Sequence, residues 1–111
     1  VNQGITLIVY PVKDLARAKE LYKKFTGIEP YVDGSYYVGF KFGDQEIGLD
    51  PNGPPGGPVC YREVADIRDS LQELLDAGAQ VQRPVSDVGG GKLIAIARDP
   101  DGNLLGLIQT P

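Results

Sequence analysis

The chain repeats itself. Val12-Lys13-Asp14-Leu15 opens an amphipathic segment that stops at Gly27, and Val64-Ala65-Asp66-Ile67 opens a second that stops at Gly78. The two openings lie about fifty residues apart, and each half then closes on a strand-like run, Ile47-Gly48-Leu49 or Leu105-Gly106-Leu107. Duplication constrains the fold more than any single motif, because paired units bring matching strands together. A pocket between such strands takes one wall from each copy.

Within the first copy, Ile5 to Val12 is rich in β-branched and aromatic residues and predicts a strand. Asp14 caps a helix whose apolar face is Leu15, Ala18, Leu21, Tyr22 and Phe25, with Lys19, Glu20, Lys23 and Lys24 mostly opposite. Gly27 is its stop signal. Ile28 to Val32 predicts a short edge strand interrupted by Pro30, Tyr36 to Phe42 a strand after the Asp33-Gly34 turn, and Gln45 to Asp50 the closing strand. The order is strand, helix, three strands.

Residues 51–58, Pro-Asn-Gly-Pro-Pro-Gly-Gly-Pro, read as a connector. The order then recurs: strand 59–64, a helix capped by Asp66 with Ile67, Leu71, Leu74 and Leu75 on its apolar face, strand 80–85, and a hairpin of 92–97 and 104–108. Asp99-Pro100-Asp101-Gly102-Asn103 turns that hairpin, with Pro presetting φ and Gly available for positive φ. Gly89-Gly90-Gly91-Lys92 lacks the order and the following helix of a phosphate loop, so it reads as a flexible hairpin connection that could move over a cavity. The domain organisation expected is one domain, residues 1–111, made of units 1–50 and 59–111.

Fifteen acidic against eleven basic residues give a net charge of −4, which disfavours nucleic acid or an anionic membrane surface as the main partner. No apolar run approaches the ~20 residues of a bilayer span, and Val1-Asn2-Gln3-Gly4 does not read as a signal peptide, so a cytoplasmic location is expected. Cys60 stands alone in an apolar-leaning strand and reads as a small buried hydrophobe.

A doubled βαβββ unit with an Asp-Pro-Asp-Gly turn before its last strand resembles the vicinal oxygen chelate superfamily of glyoxalases, extradiol dioxygenases, epimerases and bleomycin-resistance proteins. The resemblance covers essentially the whole chain. It implies an α+β fold in which eight strands curl into a half-open sheet over a cavity with the helices outside. It also implies a homodimer.

Metal-dependent members place His or Gln on the first strand and Glu on the last strand of each unit. The matching positions here are Leu7, Val59, Gly48 and Gly106, none of which offers a side-chain donor, and the chain has no histidine. No metal and no other cofactor is therefore expected. Glycine at both closing-strand positions marks either a bulge or close backbone approach, or a widening that admits part of an organic ligand.

Strand alternation gives the candidate ligand-binding residues. Leu7 and Val9 share a face, as do Glu46, Gly48 and Asp50; Val59, Tyr61 and Glu63; and Gly106 with Ile108. Ile8, Tyr10, Ile47, Leu49, Val64, Leu105 and Leu107 then face the helices, and Arg62 departs from this pattern. Tyr36 and Tyr37 fall near the cavity mouth, where a ring could stack on a planar or cationic guest. Glu46 reads more simply as solvated.

Two functions follow. One is a metal-free small-molecule-binding protein, similar to bleomycin-resistance members, that sequesters a cationic or aromatic antibiotic and has no catalytic residues. The other is a metal-independent isomerase or lyase using Asp50 or Glu63 as general acid or base.

Overall fold

The computed structural model describes residues 4–53 and 56–111. Val1 to Gln3, part of the stretch that does not read as a signal peptide, and Pro54-Pro55 of the connector lie outside the described residues. The described residues fall into two compact units, one within Leu7–Pro58 and one of Val59–Pro111 together with Gly4 to Thr6.

The first unit contains β1 (Ile5–Pro11, whose first two residues group with the other unit), α1 (Leu15–Thr26), β2 (Val32–Asp33), β3 (Val38–Phe42) and β4 (Gln45–Asp50). Strand β4 runs between β1, to which it is parallel, and β3, to which it is antiparallel, and β2 flanks β3. Asp14 caps α1 by accepting from Arg17 N–H at 3.1 Å. Gly27 ends the helix with φ 76°, a conformation that costs a residue without Cβ least. Between α1 and the sheet lies a core of Val38, Phe40 and Leu49, against which Tyr10, Leu15, Ala18 and Tyr22 pack.

Helix α1 has no fully buried residue. Leu21 and Phe25, expected in the core stripe, are 63% and 69% exposed. They stand to one side of the Leu15–Ala18–Tyr22 line that meets the sheet, and Phe25 touches only the edge of that line, its ring 5.9 Å from that of Tyr22 at 82°. Tyr36 lies outside any strand, because β3 begins at Val38. Strand β2 is also shorter than expected, since Pro30 delays pairing until Val32.

The second unit contains β5 (Val59–Glu63), α2 (Ile67–Asp76), β6 (Gln80–Asp87), β7 (Leu93–Arg98) and β8 (Leu104–Gln109). Its topology repeats that of the first: β8 is parallel to β5 and antiparallel to β7, and β6 flanks β7. Asp66 caps α2 through Asp69 N–H at 3.2 Å. Ile67 and Leu71 sink into a cluster with Val64, Ala95, Ala97 and Leu107. At the hairpin, Asp99 Oδ1 accepts from the N–H groups of Asp101 and Asn103, and Gly102 takes φ 87°, so this turn has the chemistry its sequence predicted. The Gly89–Gly91 run is a hairpin connection closed by Val88 N–H donating to Lys92 O at 2.9 Å.

Three residues of this unit depart from expectation. Cys60 is exposed, as is its register partner Leu105, because neither joins the cluster beneath the ten-residue α2. Arg62 is exposed on an unbulged strand whose pairing with β8 runs without a shift. Among the described residues, no helix is long and apolar enough to cross a membrane.

Candidate functional site

The face of the first unit turned away from α1 carries the polar chemistry. Register sets Leu7 beside Glu46 and Val9 beside Gly48, while across β4 Lys41 lies opposite Glu46 and Gly39 opposite Gly48. Alternation therefore gathers Leu7, Val9, Gly39, Lys41, Glu46 and Gly48 on one side, and the chain leading into β3 adds Tyr37. Tyr31, in the irregular segment before β2, is held to this side by its N–H donating to Gly39 O at 2.9 Å.

Glu46 is the hub. Its Oε1 accepts from the Tyr31 hydroxyl at 2.7 Å and its Oε2 from the Tyr37 hydroxyl at 2.8 Å. Both rings converge over Gly39, where an added Cβ would lie 3.1 Å from each ring and 3.2 Å from the Glu46 carboxylate. At Gly48 the fit is closer still, since an added Cβ would run into the Tyr37 hydroxyl oxygen.

The electrostatics follow from burial next to an anion. Removal from water, followed by the hydrogen bond and the charge of Glu46, pushes the Tyr31 phenol up to about 12. Tyr37 is more deeply covered and is raised further, first by burial, then by the charge of Glu46 and their hydrogen bond, with smaller effects from Tyr31 and Asp50. Both phenols stay protonated at neutral pH and act as donors to the carboxylate. Two of its roughly four acceptor positions are thereby filled, which leaves the others for a guest. Lys41 makes no ion pair among the described residues, although Glu46 is its direct cross-strand partner; its ammonium sits 5.8 Å from the centre of the Tyr31 ring.

The second unit repeats the tyrosine-over-glycine part of this device. Tyr61 is 5% exposed and lies against Gly106, where an added Cβ would meet ring atoms at 2.6 and 2.8 Å and the Cys60 carbonyl at 2.9 Å. Val59 and Ile108 are buried near it in sequence register, and Glu63 accepts a hydrogen bond from the Thr110 hydroxyl.

The sequence-derived candidates thus fall into separate groups. Leu7, Val9, Tyr37 and Gly48 lie together with Glu46, and Val59, Tyr61, Glu63, Gly106 and Ile108 belong to the other unit. Asp50, at the end of β4, accepts from Asn52 N–H at 2.8 Å and so braces a turn. Tyr36 is 78% exposed. The strand registers pass through Gly48 and Gly106 without a shift, so neither glycine marks a bulge, and tyrosine rings of the same unit take up the room that the missing Cβ leaves.

Tyr31 and the central role of Glu46 escape sequence reasoning. Tyr31 falls within the edge strand expected over 28–32, but Pro30 interrupts its alternation and the structure begins β2 only at Val32. Glu46 shares a face with Gly48 by alternation, and that signal could have placed it beside Tyr37.

A family model of the Glyoxalase/Bleomycin resistance protein/Dioxygenase superfamily matches residues 4–107. The chain belongs to this superfamily. Solved structures with the same fold include a superfamily member from Vibrio splendidus 12B01, 17% identical with TM-score 0.71, over 93% of this chain and 95% of that one. A Legionella pneumophila protein named NAD-dependent benzaldehyde dehydrogenase is 18% identical with TM-score 0.76, over 95% and 98%. Methylmalonyl-CoA epimerase from Streptomyces coelicolor, in complex with 2-nitronate-propionyl-CoA, is 17% identical with TM-score 0.72, over 99% of both chains. No curated protein sequence matches the chain.

Superfamily membership raises the question of a metal, and the donor set answers it. Leu7, Gly48, Val59 and Gly106 present no ligating side chain, no three His, Cys, Asp or Glu residues converge among the described residues, and the Tyr37 ring covers Gly48. These residues do not fit a metal centre.

Proposed function

We propose that this superfamily member is a metal-independent small-molecule-binding protein that sequesters an organic cation with an aromatic or apolar body, the chemistry of a cationic antibiotic. The observation that carries this reading is the Tyr31–Glu46–Tyr37 set. A half-buried carboxylate with no ion-pair partner among the described residues, fixed by two neutral phenols, offers a charge to pair with and aromatic surface to stack on. Sequestration needs affinity rather than turnover. The acid–base alternative would draw on Asp50, which accepts from Asn52 N–H, or Glu63, which accepts from the Thr110 hydroxyl, and it has less to carry it because neither shows the paired phenol donors seen at Glu46.

Thermal unfolding with a panel of cationic aromatic antibiotics, neutral aromatics and divalent metals tests the function. A cationic guest at a hundred times its Kd should stabilise the fold by about 2.7 kcal/mol, and Glu46→Gln should abolish that gain while unfolding cooperatively itself. Stabilisation by a divalent metal alone, or equal stabilisation of wild type and Glu46→Gln, would overturn it. Homodimerisation belongs to the same proposal, and light scattering with and without guest checks it.

A further inference from the structure

We infer that Lys41 is an internal competitor for the guest: its ammonium rests on the Tyr31 ring, where the cationic group of a ligand would sit, and it lowers the affinity of the site for cations. The inference deepens the receptor function proposed above and rests on it. Two observations point to Lys41.

The first concerns where this ammonium goes. Lys41 lies directly opposite Glu46 on the neighbouring strand, a geometry in which opposite charges usually meet. Instead the carboxylate oxygens are held by Tyr31 and Tyr37, at 2.7 and 2.8 Å, and Lys41 Nζ lies 5.8 Å from the Tyr31 ring centre. That separation is within the reach of a cation on an aromatic face. The ring that donates its hydroxyl to Glu46 therefore already carries a cation of the protein's own.

The second concerns what surrounds that cation. Lys41 and Tyr31 are both exposed, whereas Glu46 and Tyr37 are half-buried, so the ammonium lies at the open side of the cluster. A lysine on a flexible four-carbon stem leaves such a place at small cost, by swinging its head into water. An incoming organic ammonium is less strongly hydrated than a primary ammonium and gains the ring and the carboxylate together. Anionic guests meet Glu46, which the lysine does not neutralise by direct pairing. Lys41 thus weakens every cation by the same competition, while the exclusion of anions rests on Glu46.

Calorimetric titration with benzyltrimethylammonium as the probe, and benzoate as its anionic counterpart, tests the inference on the full chain. Lys41→Gln should bind benzyltrimethylammonium about three- to tenfold more tightly than wild type, and Lys41→Arg should stay near wild type because it keeps a cation on the ring. Benzoate should bind neither. In carbon–proton correlation spectra the Lys41 side-chain methylene nearest nitrogen should be shifted by the ring current, and saturation with the probe should return it to its solvated position. Unchanged or weaker binding by Lys41→Gln, or a Lys41 resonance that the probe leaves in place, overturns the competitor role even where Glu46→Gln abolishes binding. Probe binding that survives Glu46→Gln overturns the receptor function itself. Failure of the probe to bind both wild type and Lys41→Gln overturns both.

Discussion

The two halves of the chain use one topology for different ends. Residues 59–111 anchor α2 through buried Ile67 and Leu71, and Tyr61 is packed against Gly106. Residues 7–58 hold α1 with side chains that are only partly covered, and leave Tyr37, Glu46 and Tyr31 within reach of water. In the second half the tyrosine on glycine is buried. In the first it is half-buried, aimed at a carboxylate, and so available for recognition.

The largest expected contrast lies in the helices. Leu71→Ala empties a packed position and should cost about 2–5 kcal/mol, whereas Leu21→Ala on the open side of α1 should fall within about 0.5 kcal/mol, both read by urea denaturation. Equal losses would mean that α1 has a buried face of its own.

The glycines should divide next. Gly106→Ala meets the near end of the Tyr61 ring and a backbone carbonyl, neither of which yields easily, and should cost about 3 kcal/mol. Gly48→Ala meets only the far end of Tyr37, which can turn aside, so about 1 kcal/mol is expected. The cheaper substitution should do more harm to guest affinity, because turning Tyr37 breaks its bond to Glu46. If Gly48→Ala left binding intact, the bond between Tyr37 and Glu46 would have no part in recognition.

Alkaline titration sharpens the contrast further. A phenol whose folded value is raised favours the folded state most below its ordinary value of 10.0, and that contribution is lost as pH rises through the folded value. Stability owed to Tyr31 should therefore be complete below pH 10.0 and decline toward about pH 12, a slope that Tyr31→Phe should reduce. Phenolate absorbance recorded alongside unfolding checks both the value and the sign. Smallest should be the caps: Asp14→Ala and Asp66→Ala should each cost about 1 kcal/mol in thermal unfolding, since each side chain satisfies one helix-end N–H.

Periodicity and turn chemistry made the scaffold legible. Both aspartate caps, the closing strand Gln45–Asp50 and the Asp99–Asn103 turn follow from local rules that tertiary contacts did not override. Helix reach was not legible, because where a helix ends over a sheet depends on crossing geometry. Cys60 and Leu105 alternate correctly toward the α2 side, yet no helix covers them. The candidate site was half legible. Alternation placed Tyr37 and Gly48, while Tyr31 reaches Glu46 from an irregular segment whose direction no period encodes.

The contact between the Tyr37 hydroxyl and Gly48 has a mutational consequence. Any larger residue at position 48, a carboxylate included, must turn the Tyr37 ring aside and so break its bond to Glu46, a conflict that a smaller residue at position 37 would remove. Substitutions at the two positions are therefore expected to be non-additive, growth at position 48 costing less once position 37 is small.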